Sequence, residues 1–165
     1  MNKLTRQYLG LLSAVAAYNI LHEGAHLIYA LSVGAFKRIN FLGLGIQIDV
    51  YAEKMRDTQV GIFCLVGAVA TLTTAYGLVV ATDKICKAKS RVFKACMYYV
   101  TIAMLFADPL YLSLLYGFFG GGDMNGIALL VPEGIARTFF GVLLLVNGCL
   151  FWRLVLPKYK KSFSD

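Results

Sequence analysis

Residues 9–31 read LGLLSAVAAYNILHEGAHLIYAL, an apolar run long enough to cross a bilayer that carries Asn19, His22, Glu23 and His26 in its second half. About 20 residues of helix cover the hydrocarbon, so the run predicts a first membrane span over about 7–33. An ionisable side chain at that depth is costly and marks function by default. His22 and His26 are four residues apart, and on a helix positions i and i+4 stack on one face, so both imidazoles can reach a single ion.

Three more segments have the same character. They run over about 58–82, 92–119 and 131–156, the third interrupted by Asp108-Pro109. With 165 residues, 59% hydrophobic and 15% charged, and a mean hydropathy of +0.68, a soluble domain of this size has no interior large enough for its apolar surface. The expectation is an all-α membrane protein of about four transmembrane helices in a single polytopic domain, 1–165. Lys3 and Arg6 before the first run imitate a signal peptide, but the run is too long and contains the main motif, so it is expected to be retained.

Between the first two spans the pattern changes. Ile46-Gln47-Ile48-Asp49-Val50 alternates apolar and polar, the period of a strand with one face covered. Ile39-Asn40-Phe41 precedes it, and Gly43 and Gly45 supply a turn. A short β-hairpin at the membrane surface follows, and an extended peptide can add to the edge of the 46–51 strand.

The net charge of +7 does not indicate nucleic acid. The basic residues flank the apolar spans and form no aromatic-interleaved stripe, so the bilayer is the expected partner. Of the 16 lysines and arginines, eleven fall at the N-terminus, in the second loop (Lys84 to Lys94) and at the C-terminus; five (Lys37, Arg38, Lys54, Arg56 and Arg137) fall on the other side. The positive-inside rule then places both termini of a multi-pass cell-membrane protein in the cytoplasm. Cys64, Cys86, Cys96 and Cys149 form no Cys-x-x-Cys pair and read as small buried hydrophobes.

His22-Glu23-Gly24-Ala25-His26 fits H-E-x-x-H, and the chain's two histidines are both in it. Zinc accepts nitrogen and oxygen ligands in a tetrahedral site that keeps one position for water, whose pKa it lowers to about 7. Glu23, beside the first ligand, is the candidate catalytic base, able to take a proton from that water and deliver it to a leaving amine. A third ligand is needed. Among nine acidic residues, Asp108 lies at a depth similar to His22, and Asp123 follows Gly120-Gly121-Gly122, where irregular backbone can line a protein cavity. The residues themselves leave both open. Asn19, four residues before Glu23, can orient it or a substrate carbonyl, or serve helix packing; Asn125 is a weaker candidate of the same kind.

In three ordered pieces the chain resembles the site-2 protease family of intramembrane zinc metalloproteases. The pieces are His22 to His26 with the basic turn and strand that follow, Val66-Gly67-Ala68-Val69-Ala70-Thr71, and Asp108-Pro109 with Gly121-Gly122-Asp123. They are similar to the family's zinc motif, its Gly-Pro-x-x-Asn stretch, and its Asn-Pro and Leu-Asp-Gly elements. Here Gly24 follows the glutamate, Thr71 stands where Asn is usual, and the gap before Asp123 is longer. The resemblance implies that Asp123 is the third zinc ligand and that the substrate is a membrane-embedded or membrane-proximal peptide. It also implies a metal nearer the cytoplasm, whereas the loop charges put the hairpin and Asp123 outside. A catalytically silent metal-binding scaffold and a small transporter are the competing readings. The retained Glu23 favours hydrolysis, and no pair of related halves supports transport.

Overall fold

The computed structural model describes residues 2–43, 45–119 and 122–164. It is a helical protein with one β-hairpin after the first helix. α1 spans Lys3–Ser32, with the Asn2 side chain accepting from the Thr5 backbone N–H at its start. The hairpin pairs β1 (Phe36–Leu42) with β2 (Gly45–Val50) in antiparallel register, Ile39 opposite Ile48 and Phe41 opposite Ile46. Gly43 enters the turn at φ +61°, a conformation that costs glycine nothing. α2 follows (Asp57–Cys86), then α3 (Arg91–Leu110), a π-helical turn (Tyr111–Leu115) and α4 (Tyr116–Phe119). A short α5 (Gly122–Ile127) leads to α6 (Glu133–Leu150), a second π-turn (Phe151–Val155) and α7 (Leu156–Ser164).

Among the described residues, three helical stretches are long and apolar enough to cross a membrane: Asp57–Cys86, Arg91–Phe118 and Glu133–Ser164. α1, at 30 residues, is as long as α2 but is diluted by its polar motif. Apolar side chains cover the outside: Val80 and Phe118 are each 84% exposed, and Leu145 and Trp152 are nearly as open. The buried set holds His22, His26, Thr71, Thr101, Asp108 and Asn147. Polar inside and apolar outside is the distribution a lipid solvent selects.

The helices overrun the expected spans. α2 continues to Cys86, and the last helix to Ser164 rather than 156. Their ends carry lysines whose stems can lie along apolar surface while the charge reaches water. Nor does Asp108-Pro109 break the third span. Pro109 has no N–H and crowds the carbonyl four residues back; the helix absorbs this in the π-turn. The carbonyl of Leu105, deprived of that donor, accepts from Asn147 Nδ2 of α6 at 2.6 Å, and Asn147 Oδ1 in turn accepts from the Tyr76 hydroxyl of α2 at 3.1 Å. Three helices are thereby stapled at one depth.

The cysteines are all free, and only Cys64 is buried; Cys149 is exposed on the apolar exterior, contrary to the buried position expected for it. α6 turns one face toward the core through Ala136, Phe140 and Asn147, and position 149 falls off it.

α1 packs most extensively against α3, and both against α2. Ala14, Ala75, Val100, Met104 and Leu105 fill the space between them. A second cluster, with Phe63, Cys64, Ala68, Met124, Ile127 and Phe140 among its members, joins α2, α5 and α6 beneath the hairpin. The motif of α1 lies between these two layers.

Candidate metal centre

α1 and α3 start at the same end, and His22 and Asp108 lie about 28 Å and about 26 Å along their axes at 1.5 Å per residue. Matching depth brings them into contact: His22 Nδ1 is 3.2 Å from Asp108 Oδ1. Asp108 is 1% exposed and does not rest on His22 alone. The Tyr18 hydroxyl donates to its Oδ1 at 2.5 Å, and the Thr71 hydroxyl donates to its Oδ2. Tyr18 is one helical turn before His22, and Thr71 faces them from α2. A carboxylate taken so far from water needs these donors.

His26 is fixed by a hydrogen bond to a backbone acceptor. Its Nδ1 lies 2.7 Å from the carbonyl oxygen of Phe63. A carbonyl only accepts, so Nδ1 carries the proton and Nε2 keeps its lone pair. His22 Nδ1 lies on the Asp108 side of its ring, and the two Nε2 atoms turn inward and stand 3.1 Å apart. The His26 lone pair so exposed faces His22 Nε2, a contact that either a proton on His22 Nε2 or a metal ion between the rings satisfies.

Asp123 closes the group. Its Oδ2 is 3.3 Å from His22 Nε2, and its Oδ1 is 3.9 Å from His26 Nε2. A tetrahedral zinc with bonds of about 2.0–2.1 Å holds neighbouring ligand atoms about 3.3 Å apart. The His22–His26 and His22–Asp123 separations, 3.1 and 3.3 Å, lie near that value, and the His26–Asp123 separation, 3.9 Å, is wider. His22, Glu23 and His26 each also offer a ligand atom within 4.8 Å of the others. This buried His-Glu-His group can bind a metal. Asp108 sits on the outer nitrogen of His22, and Asp123 on the inner one.

Gly67 makes room for the rings. A Cβ there would lie 2.6 Å from His26 Nε2 and 2.7 Å from His22 Nε2, inside any permissible contact. α5 is seated by the burial of Met124 and Ile127, and the Cys64 thiol donates to the Gly122 carbonyl at 3.7 Å. Gly120 and Gly121 lie outside the described residues.

Glu23 faces the hairpin. Its Oε2 accepts from the Ile48 backbone N–H at 3.0 Å. Asn19 Oδ1 accepts from the Ile46 N–H at 3.3 Å, while its Nδ2 donates to the Val15 carbonyl at 2.8 Å. A cavity of about 370 Å³ lies over the group, walled by Ile46, Ile48, Phe63 and Tyr111 among others. Asn125 is not part of it: its Oδ1 accepts from the Tyr116 hydroxyl at 2.7 Å in an exposed position.

No protein-family model, curated protein or solved structure matches this chain.

Sequence reasoning did not single out Tyr18, Phe63 or Gly67 as site residues. Tyr18 had a signal, since it stands four residues before His22 on the same helical face. The Phe63 carbonyl had none, because any residue presents the same backbone oxygen.

Proposed function

We propose that the protein is a zinc-dependent intramembrane peptidase, a small and divergent relative of the site-2 proteases, with His22, His26 and Asp123 as ligands. One observation carries the reading: the Phe63 carbonyl holds the His26 Nδ1 proton, and His26 Nε2 faces His22 Nε2 at 3.1 Å and the Asp123 carboxylate at 3.9 Å. Zinc bound there supplies an acidified water and a Lewis acid for a peptide carbonyl. The chain's residues do the rest. Asp108, held by Tyr18 and Thr71, keeps the His22 ring oriented and raises its basicity as a ligand. The Phe63 carbonyl does the same for His26. Glu23 takes a proton from the attacking water and passes it to the nitrogen of the breaking C–N bond, leaving a carboxylate and an amine. The expected substrate is a membrane-embedded or membrane-proximal peptide, reached from the lipid that surrounds the helices.

A metal-binding scaffold without catalysis is the second reading, and the bond between Glu23 and the Ile48 N–H favours it, because it turns the base toward the strand. Glu23→Gln separates the two. Detergent-purified protein is expected to carry one zinc per chain, and Glu23→Gln to retain that zinc while cleavage of a transmembrane peptide falls by at least about a hundredfold. Absence of stoichiometric metal, or cleavage that survives the substitution, overturns the peptidase reading.

A further inference from the structure

The end of the molecule away from the hairpin holds a cavity that the metal centre does not use. It measures about 320 Å³ and lies where α1, α3 and α7 converge. Lys3, Arg6 and Gln7 line it from α1, Tyr98 and Tyr99 from α3, and Phe163 from α7. Positions 3, 6 and 7 share one helical face, and Gly10, one turn further on, closes the floor. There α1 meets α3 so closely that a Cβ on Gly10 would lie 2.4 Å from the Tyr99 ring and 3.1 Å from the Ala95 carbonyl oxygen. α7 is fastened over the third side: Lys94 Nζ donates to the Ser162 carbonyl at 2.6 Å, and the Ser162 hydroxyl donates to the Cys86 carbonyl at 2.9 Å.

The chemistry of the cavity is divided. Three aromatic rings form its walls, Lys3 and Arg6 bring two positive charges to one side, and among the described residues no carboxylate lines it. Buried Lys94, its Nζ 5.6 Å from the Phe163 ring centroid, adds a third positive charge to the field. Asp83, at the same end, is taken by Lys158 at 2.7 Å. Small-molecule sites run from about 300 to 1,000 Å³, so this one suits a headgroup rather than a whole lipid. Leu4 and Tyr8, alongside on α1, are exposed and continue the apolar surface outward.

We propose that the cavity binds one anionic glycerophospholipid, with its phosphate against Lys3 and Arg6 and its acyl chains along the apolar outside of α1. A guanidinium meets phosphate as a planar fork and an ammonium as a mobile point charge. A choline or ethanolamine headgroup would bring a further cation into a cavity that has cations and no acid, whereas a net-negative headgroup brings none. The aromatic walls, and the position at the level where basic residues flank the spans, favour a lipid over a free anion. A ligand that touches three helices of the folded chain and no unfolded one stabilises their packing. The inference needs neither the metal nor the peptidase reading.

The test is native mass spectrometry of the full chain in detergent at constant ionic strength. The probe is dioctanoyl phosphatidylglycerol, with dioctanoyl phosphatidylcholine and inorganic phosphate as comparisons. One phosphatidylglycerol per chain is expected, retained in preference to phosphatidylcholine. At about fivefold per basic residue, Lys3→Gln and Arg6→Gln together should weaken that binding about thirtyfold. Lys87→Gln with Lys89→Gln removes the same charge from the exposed loop at this end and should leave the adduct in place, since salt screens charges beyond the cavity. Gln7→Trp fills the cavity without altering the charge and should abolish the one-to-one adduct. Equal retention of phosphatidylcholine overturns the proposal, as does a loss in the loop pair equal to that in the Lys3 and Arg6 pair, which reports diffuse attraction. An adduct that survives Gln7→Trp places the lipid elsewhere, and displacement by inorganic phosphate makes the site one for a free anion; either result also overturns it. Should the double variant not fold, the single substitutions decide, at about fivefold each.

Discussion

At the scale of single residues, the candidate centre separates atoms that face the space between the two imidazoles from atoms that hold those residues still. Asp108 belongs to the second kind, on the far nitrogen of His22. Asp108→Asn keeps the shape but removes the charge, and zinc affinity is expected to fall about 10–100-fold in chelator competition. An unaltered affinity would remove Asp108 from the site. Gly67 offers a steric test, because a methyl group there meets both Nε2 atoms. Gly67→Ala should lose stoichiometric metal while the helical circular dichroism persists. Gly77→Ala in the same helix, with nothing within 4 Å of the added carbon, should keep the metal. Equal metal content in the two variants would show that the rings have space to spare.

Elements are held in place by polar contacts that the apolar pattern does not announce. Asn147 answers the carbonyl that Pro109 orphans and accepts from Tyr76, so Asn147→Ala strips a partner from the buried Leu105 carbonyl and from the half-buried Tyr76 hydroxyl at once. A loss of about 1–2 kcal/mol is expected, read as a lower midpoint in SDS-titrated unfolding; a midpoint that stays put would mean the groups find other partners. In the hairpin, hydrogen bonds from Asn40 and then Arg38 hold the Asp49 carboxyl below the usual carboxylate range. A depressed folded pKa contributes stability that is present above the ordinary aspartate value of about 3.9 and is lost as pH falls through the lower, folded value. The hairpin should therefore keep this contact throughout the neutral range and surrender it only in strong acid. The Asp49 carbon resonance should titrate below about 3.9 and move up in Asn40→Ala; a midpoint at the free value in wild type would contradict the contact.

Across the whole molecule, the three basic regions gather at one end. Lys94 of α3 donates to the Ser162 carbonyl at 2.6 Å, Lys158 of α7 reaches Asp83 of α2 at 2.7 Å, and Lys3, Arg6 and Phe163 line one cavity. The hairpin is at the opposite end. With positive residues favouring the cytoplasm, Lys54→Cys beside the hairpin should react with an impermeant thiol reagent added outside intact cells, and Ser90→Cys should not, in a chain whose native cysteines are replaced. The reverse labelling would invert the orientation and bring the site to the cytoplasmic side.

The helical class, the hairpin after the first helix and the His22-Glu23-His26 group were all legible in the residues, because each is a local pattern: apolar length, period-two alternation, and one turn of helix between two imidazoles. Spacing along the chain carries no information on which nitrogen of a ring meets which acceptor. Only the packing of α1 against α2, α3 and α5 decided that Asp108 stands behind His22 while Asp123 stands before it. Only the docking of β2 on α1 decided that Glu23 lies against a backbone N–H. Contacts between residues 25 to 101 positions apart depend on how helices meet, and helices meet according to the sum of many small apolar contacts that no single motif records.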